Sequence, residues 1–159
     1  AQGHRKIAVL GGPATSFPSR MRRLGAQDAM EDAGLTFDDK LYGLSNYDFE
    51  SAYHAMNSLL ARQAQFTALF AMSDVIAFGA IRALVSAGFR VPEDVSVIGF
   101  DGLAMSRYSV PVMTTIVQPS EQIAQQSFEL LMRQIEHGAP AQTVILQPEL
   151  QPGESVRAL

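Results

Sequence analysis

The feature that most constrains the fold of this chain is an alternation of short apolar runs with segments of helical spacing. Runs typical of buried strands cover 6–11, 41–45, 67–72 and 95–100. Such an alternation predicts an α/β fold with a doubly wound, mainly parallel sheet. The chain has 159 residues, which is enough for one compact domain with a core.

Capping residues and glycines predict the helix bounds. Ser19 is expected to cap the first helix, and Gly34 follows its end near Ala33. The second predicted helix carries the buried stripe Ala52, Met56, Leu59 and Leu60. The third runs from Ser73 or Asp74 to Gly88, and its inward-facing residues are Ile76, Ala80, Ile81 and Leu84. The fourth runs from Pro119 to about His137. Further short strands are expected at 114–117, 143–146 and 155–158.

Composition excludes several classes of function. The net charge of −4 argues against nucleic-acid binding by this segment itself, which needs clustered Lys and Arg. The absence of cysteine excludes disulfides and thiolate metal sites. No apolar run reaches the length of a membrane span, and the first residues lack the features of a signal peptide. We therefore expect no membrane partner and no export.

Catalytic signatures are absent from the sequence. It contains no G-x-S-x-G elbow, no H-E-x-x-H pair and no P-loop. His4, His54 and His137 are scattered, and no two of them have the spacing of metal ligands. The sequence therefore predicts neither an enzyme, nor a cofactor, nor a metal site.

Asp101 ends the most informative run of the chain, 96–101, which stops on a glycine, an aromatic residue and a carboxylate. Ligands of open α/β sheets bind just beyond the carboxyl ends of the strands. Asp101 is placed to accept hydrogen bonds from a small ligand there. The alternative is that it merely caps the following turn.

The loop after the first strand leads into a basic segment. Ser16, Arg20, Arg22 and Arg23 lie there, with Arg20 and Arg23 on one helix face and Arg22 pointing elsewhere. An arginine fork can hold hydroxyls, carboxylates or phosphates. The alternative is a solvated basic first turn.

Two more segments follow predicted strands. Tyr47 can stack on a ligand from its loop or can serve as a lid on the core. Ser73 and Asp74 can face the same edge of the sheet, although helix capping alone explains both.

Several segments resemble, in a single order, the core domain of regulators of the lactose-repressor/galactose-repressor (LacI/GalR) family. They are residues 3–8, Gly12-Pro13, Arg22-x-x-Gly25, Ser73-Asp74 with Ala77-x-Gly79-Ala80, 92–101, and Thr114-Thr115-Ile116-x-Gln118-Pro119. The resemblance implies a type I periplasmic-binding-protein-like fold, in which two α/β subdomains hold an effector in their cleft. The same fold serves exported sugar-binding proteins of transport systems, which is the alternative function; the Thr-Thr-Ile-x-Gln-Pro segment favours the regulator.

The resemblance implies roles for individual residues. Arg22 matches the arginine that contacts the effector, Tyr47 the aromatic residue that stacks on it, and Asp101 the carboxylate that accepts its hydroxyl or amine hydrogens. Ser73 and Ser16 match polar positions that face the ligand or vary with its identity. The implied effector is a small polar ring such as a sugar or a nucleoside or purine.

The resemblance also implies how the chain is divided. Residues 1–113 correspond to the core of the C-terminal subdomain, 114–140 to a crossover and a helix of the N-terminal subdomain, and 141–159 to return strands of the C-terminal one. The DNA-reading headpiece is missing, so we expect a fragment of a cytoplasmic regulator that meets DNA only through that headpiece.

A homodimer is the expected assembly, because regulators of this family act on operators with two half-sites. The resemblance places part of the interface on the third helix and on the loop near Tyr108. Phe78, Ile81 and Arg82 are the candidate contacts on the helix. The alternative for Phe78 is burial against its own sheet.

Overall fold

A computed structural model describes residues 2–63 and 65–159. Within these residues, strands and helices alternate along most of the chain. They are β1 (Ile7–Gly11), α1 (Phe17–Asp32), β2 (Tyr42–Leu44), α2 (Phe49–Ala61), β3 (Ala68–Ala71), α3 (Asp74–Ser86), β4 (Ser96–Asp101), β5 (Thr114–Val117), α4 (Ser120–His137) and β6 (Glu149–Gln151), with short 3₁₀ turns at Asp39–Leu41 and Ala104–Arg107.

The strands form one sheet in the order β2-β1-β3-β4-β5-β6. All neighbours are parallel except β6, which runs antiparallel to β5. Val9 pairs with Phe70, Phe70 with Ile98 and Ile98 with Thr114. The predicted mainly parallel α/β sheet is confirmed, and the carboxyl ends of β1 to β5 lie along one edge.

The helices α2 and α3 cover one face of the sheet and pack closely on each other. The predicted apolar stripes are largely confirmed, since Ala52, Met56 and Leu59 on α2 are fully buried. On α3, Ile76, Ala80 and Leu84 are fully buried. Leu60 on α2 and Ile81 on α3 are half-buried. The close approach of the two helices depends on Gly79, where an added Cβ would lie 2.5 Å from the Phe49 carbonyl oxygen.

The opposite face of the sheet carries α1. Because neighbouring residues of a strand point to opposite faces, Phe70 and Ile98 face this side, while Leu69 and Val97 face α2 and α3. An open apolar groove of about 670 Å³ lies here between the sheet and α1. It is lined mainly by Ile7, Met30, Leu35, Phe70, Ile98 and Ile116.

Two helix starts differ from the sequence-based expectation. The first helix begins at Phe17, with Ser16 as its N-cap residue, so Ser19 lies inside the helix and does not cap it. Pro18 explains the shift, because a proline in the first turn lacks only an N–H that would be unpaired there in any case. The fourth helix begins at Ser120, and Pro119 occupies the position before it. Gly138 ends that helix in the left-handed conformation, as expected.

The prediction of strands at 143–146 and 155–158 is wrong, since neither segment forms a strand. Val144 and Leu146 lie beside α4, where no neighbouring strand offers a ladder of hydrogen bonds. In the second segment, a few backbone hydrogen bonds, such as that from the Val97 amide to the Ser155 carbonyl oxygen at 2.7 Å, are supplemented by side-chain hydrogen bonds and do not form a regular ladder. The Ser155 hydroxyl accepts from the Thr114 amide at 2.8 Å and donates to the Val97 carbonyl oxygen at 2.6 Å. The last strand is β6, placed between the two expected segments.

Helix α4 contributes no buried residue to the core. Ile123, Phe128, Leu131 and Ile135 are all exposed along it. Across the described residues, no helix combines the length and the apolar character needed to cross a membrane.

Candidate functional site

Arg22 and Asp101 meet at the carboxyl edge of the sheet. An Arg22 Nη2 lies 3.3 Å from Asp101 Oδ1, and Nη1 donates to the Met72 carbonyl oxygen at the end of β3. The guanidinium lies over the Phe100 ring, 3.8 Å from its centroid. With 18% of its side chain exposed, Arg22 does not belong to a solvated basic turn. The structure therefore brings two of the predicted site residues into direct contact.

Gln118 is the third member of this contact. It follows β5, and its Nε2 donates to Asp101 Oδ1 at 2.7 Å. Arg22 and Gln118 thus share one oxygen of the carboxylate. Asp101 Oδ2 accepts no hydrogen bond from the residues that the structure describes, so it is available as an acceptor for a ligand hydroxyl or amine.

Burial raises the pKa of the Asp101 carboxyl group above its ordinary value of 3.8. The Arg22 charge and the Gln118 hydrogen bond act in the opposite direction, and the nearby Asp74 charge adds to the rise. The folded protein therefore disfavours the ionised form of Asp101, which is a property often found at functional sites.

We expect Asp101→Asn to be more stable than the unaltered protein at pH 7 and equally stable near pH 3. A carboxyl group with a raised folded-state pKa contributes its full stability below the unfolded pKa and loses it as the pH rises through the folded pKa. Asparagine keeps the neutral form at every pH and retains an acceptor for Gln118. Urea unfolding at the two pH values measures the difference. Lower stability of the variant at pH 7 would mean that the ion pair with Arg22 outweighs burial.

Tyr47 lies at the same edge, between β2 and α2. Its hydroxyl is 2.7 Å from the hydroxyl of Ser19, which is one turn before Arg22 on the same face of α1. Its ring covers Gly12, where an added Cβ would lie 2.0 Å from Tyr47 Cε2. The structure thus places Tyr47 at the same edge of the sheet, in contact with α1 one turn before Arg22, where it packs on the core and remains half-exposed.

Tyr47 and Asp101 both have backbone conformations that residues other than glycine rarely adopt. Their φ angles are 62° and 123°. Strain of this kind costs on the order of 1–3 kcal/mol and persists where the surrounding structure fixes it, often at ligand sites. Two of the three predicted central residues therefore share a property that the sequence does not reveal.

The remaining predicted residues have different positions. The Ser73 hydroxyl accepts from the Ile76 amide at 3.1 Å and is almost fully buried, so it caps α3. Ser16 is half-exposed before α1 and makes no side-chain capping bond. Arg23 is directed away from the site, with its guanidinium over Tyr42 and 2.9 Å from Asp39, and Arg20 is exposed over Phe17.

Sequence reasoning missed Gln118 and Phe100 as parts of the site. Gln118 directly follows a predicted strand, and this position was the only feature of the sequence that could have indicated a place in the site. A single amide side chain belongs to no motif of characteristic spacing, however, so the sequence pattern assigns it no role. Within the described part of the chain, no cluster of three or more histidine or acidic side chains could hold a metal ion.

Comparison with known proteins gives a consistent result. Residues 1–156 match the family model described as a periplasmic binding protein-like domain. The HTH-type transcriptional repressor PurR of Proteus mirabilis is 36% identical over 156 residues, which are 98% of this chain and 46% of that protein. The chain thus spans less than half the length of this curated relative.

Solved structures show the same similarity. A sugar-binding transcriptional regulator of the LacI family from Escherichia coli, complexed with phosphate, is 33% identical with a TM-score of 0.91, over 99% of this chain and 57% of that one. A dimeric Lac repressor is 26% identical with a TM-score of 0.92, over 99% of this chain and 58% of the other.

Proposed function

The chain belongs to the periplasmic binding protein-like domains of LacI/GalR-type transcriptional regulators, and from this membership we propose that it senses a small polar ring such as a sugar, a nucleoside or a purine. Its relatives are named as a transcriptional repressor and a transcriptional regulator, which supports a role in regulation rather than catalysis and does not favour a transport protein. A regulator of this kind acts in the cytoplasm, and it binds DNA through a headpiece that lies outside this chain.

The observation that carries the proposal is that only one of the two carboxylate oxygens of Asp101 is hydrogen-bonded by the described residues. Arg22 and Gln118 hold Oδ1, so the carboxylate is fixed in orientation while Oδ2 can accept from the effector. The guanidinium of Arg22 compensates the charge locally, which suits a neutral ligand with hydroxyl or amine hydrogens. The rings of Tyr47 and Phe100 offer apolar surface for the face of such a ligand.

The division of the chain is part of the proposal. We assign 1–113 to the core of one subdomain, 114–140 to the crossover and a helix of the other, and 141–159 to the return. The exposed apolar residues of α4 support the assignment, since the residues that the structure describes leave none of them buried. The strand β5 is still part of the same sheet as β4, so the crossing itself follows Val117.

A ligand screen on the full-length regulator tests the proposed function. We expect one compound from a panel of monosaccharides, cellobiose, purine bases and nucleosides to raise the melting temperature and to change operator binding in a gel-shift assay. A panel that changes neither quantity, with operator binding intact, would contradict the proposed class of effector.

The outer surface of α3 supports the expected homodimer. Tyr108 has 80% of its surface exposed, Val85 is also exposed, and Arg82 lies on the same side of the helix. Phe78 and Ile81 are half-buried against the core, so each offers only part of its surface. We propose that Phe78, Ile81, Arg82 and Tyr108 lie at a two-fold contact.

Val85→Asp is expected to convert the dimer to a monomer, because it places a charge in an apolar contact without altering the core. Light scattering on the full-length protein at several concentrations measures the mass. Ile145→Asp is the matched control, since Ile145 is exposed on a different segment. A dimer that survives the Val85 change and not the Ile145 change would place the contact elsewhere.

A further inference from the structure

Asp74 is the first residue of α3, and its side chain is fully buried. Its Oδ2 accepts from the Leu103 amide and from the Ser106 hydroxyl, both at 2.7 Å. Its Oδ1 accepts from the Thr115 hydroxyl at 2.5 Å. Among the described residues it forms no ion pair, so three donors and the N-terminus of α3 stabilise the carboxylate.

The three donors surround the turn that presents Asp101. Leu103 follows Asp101, whose φ of 123° is strained, and Gly102, whose φ of 73° is readily adopted by glycine. Ser106 lies in the 3₁₀ turn after it, and Thr115 faces Gly99 on the neighbouring strand. Asp74 therefore ties α3, β5 and the turn after β4 to one carboxylate.

Gly99 provides the space for this arrangement. A Cβ at Gly99 would lie 2.2 Å from Asp74 Oδ1, so the carboxylate packs directly on the β4 backbone two residues before Asp101. Asp74 makes no hydrogen bond to Asp101 itself. Apart from the Asp74 charge, which adds to the rise in the pKa of Asp101, an effect on the ligand-contacting group acts through the backbone of the turn.

We propose that Asp74 is a positioning residue for the effector site, holding the Asp101–Gly102 turn, which is strained at Asp101, through Leu103, Ser106 and Thr115. A strained conformation persists only where its surroundings fix it, and these three bonds fix the segment directly after it. The inference rests on the proposed function for its consequence on effector binding, but its structural content can be tested without an effector.

The first experiment is hydrogen exchange by mass spectrometry on the full-length protein with Thr115→Val. Removing one donor should speed exchange in peptides covering 99–108 by about tenfold, the loss equivalent to one buried hydrogen bond. Thr114→Val is the matched control. Thr114 is equally buried on the same strand, but its hydroxyl accepts from the Gly153 amide at 3.0 Å. Ser106→Ala should reproduce the Thr115 result.

A purely structural role would make both threonine variants exchange faster throughout the sheet, and this outcome would overturn the proposal. Unchanged exchange at 99–108 in both Thr115→Val and Ser106→Ala would overturn it as well. These outcomes do not depend on whether an effector is known, so they separate failure of the positioning role from failure of the proposed function.

The second experiment measures the change in operator binding caused by the compound that the screen selects, for example cellobiose or adenosine. Thr115→Val should require about tenfold more compound for the half-maximal change and reach the same maximum, whereas Thr114→Val should match the unaltered protein. An equal response in the two variants would overturn the positioning role. If Asp101→Ala also left the response unchanged, the proposed effector site would fail separately.

Discussion

Asp101→Ala is expected to shift the effector response of the full-length regulator to much higher effector concentrations while leaving operator binding intact. The change removes the acceptor offered to the ligand by Oδ2. It also leaves the Arg22 guanidinium, with 18% of its side chain exposed, and the Gln118 amide without their shared partner. Loss of a hydrogen-bonded partner at a buried site costs about 1–3 kcal/mol, equivalent to roughly 5- to 150-fold in affinity.

Operator binding titrated with the compound selected by the screen measures this loss. Asp28→Ala is the control, because it removes an exposed carboxylate from the same helix as Arg22 and lies two turns away from the site. A normal response in the Asp101 variant would show that the effector does not contact this carboxylate, and the assignment of Arg22 and Tyr47 would lose its basis.

The order of strands and helices could be predicted from the sequence because the central parallel strands carry apolar residues on both faces, one packed against α2 and α3 and the other lining the groove beside α1. β1, β3 and β4 are continuous apolar runs for this reason, and the residues after them carry the polar groups. An apolar run alone does not predict a strand where no neighbouring strand is available for pairing. The run 143–146 is as apolar as a strand, yet it lies beside an exposed helix and pairs with nothing.

Helical periodicity separated Arg22 from Arg23 before the structure was known. Residues adjacent on a helix point about 100° apart, and Arg23 indeed lies over Tyr42 while Arg22 reaches Asp101. Periodicity could not say which of the two faces held the site. That depends on the sheet order, which places β4 and β5 beyond β3 and so brings Asp101 and Gln118 toward α1.

The buried polar contacts were beyond sequence reasoning. Asp74 matches an ordinary cap in the sequence, and its three donors come from positions 29, 32 and 41 residues away. The sequence likewise does not predict the positive φ angles of Tyr47 and Asp101, because neither residue type favours them. Long-range hydrogen bonds and strain depend on the assembled fold, whereas apolar patterns are local.

Gly79→Ala and Gly25→Ala are expected to change stability in opposite directions, although both place alanine in a helix. Alanine in place of glycine in a helix gains about 0.5–1 kcal/mol from reduced backbone entropy of the unfolded chain. At Gly25, on exposed α1, an added Cβ has no heavy atom within 4 Å, so this gain should be realised in full.

At Gly79 the same methyl group meets backbone. It would lie 2.5 Å from the Phe49 carbonyl oxygen, 2.8 Å from Ala52 Cβ and 3.1 Å from the Tyr53 amide nitrogen. Rotation of a side chain cannot relieve these contacts, so α2 and α3 must separate. Overpacking of this kind costs about 1–3 kcal/mol, and the fixed neighbours favour the upper end.

Urea unfolding of the two variants beside the unaltered protein measures both effects, and equal m-values confirm that native compactness is retained. The expected difference between the variants is about 3 kcal/mol, combining the gain at Gly25 with the loss at Gly79. A Gly79 variant as stable as the Gly25 variant would mean that α2 and α3 are not in backbone contact. Asp74 begins α3 and α2 begins just after Tyr47. The same result would therefore remove the rigid support on which the proposed geometry of the site depends.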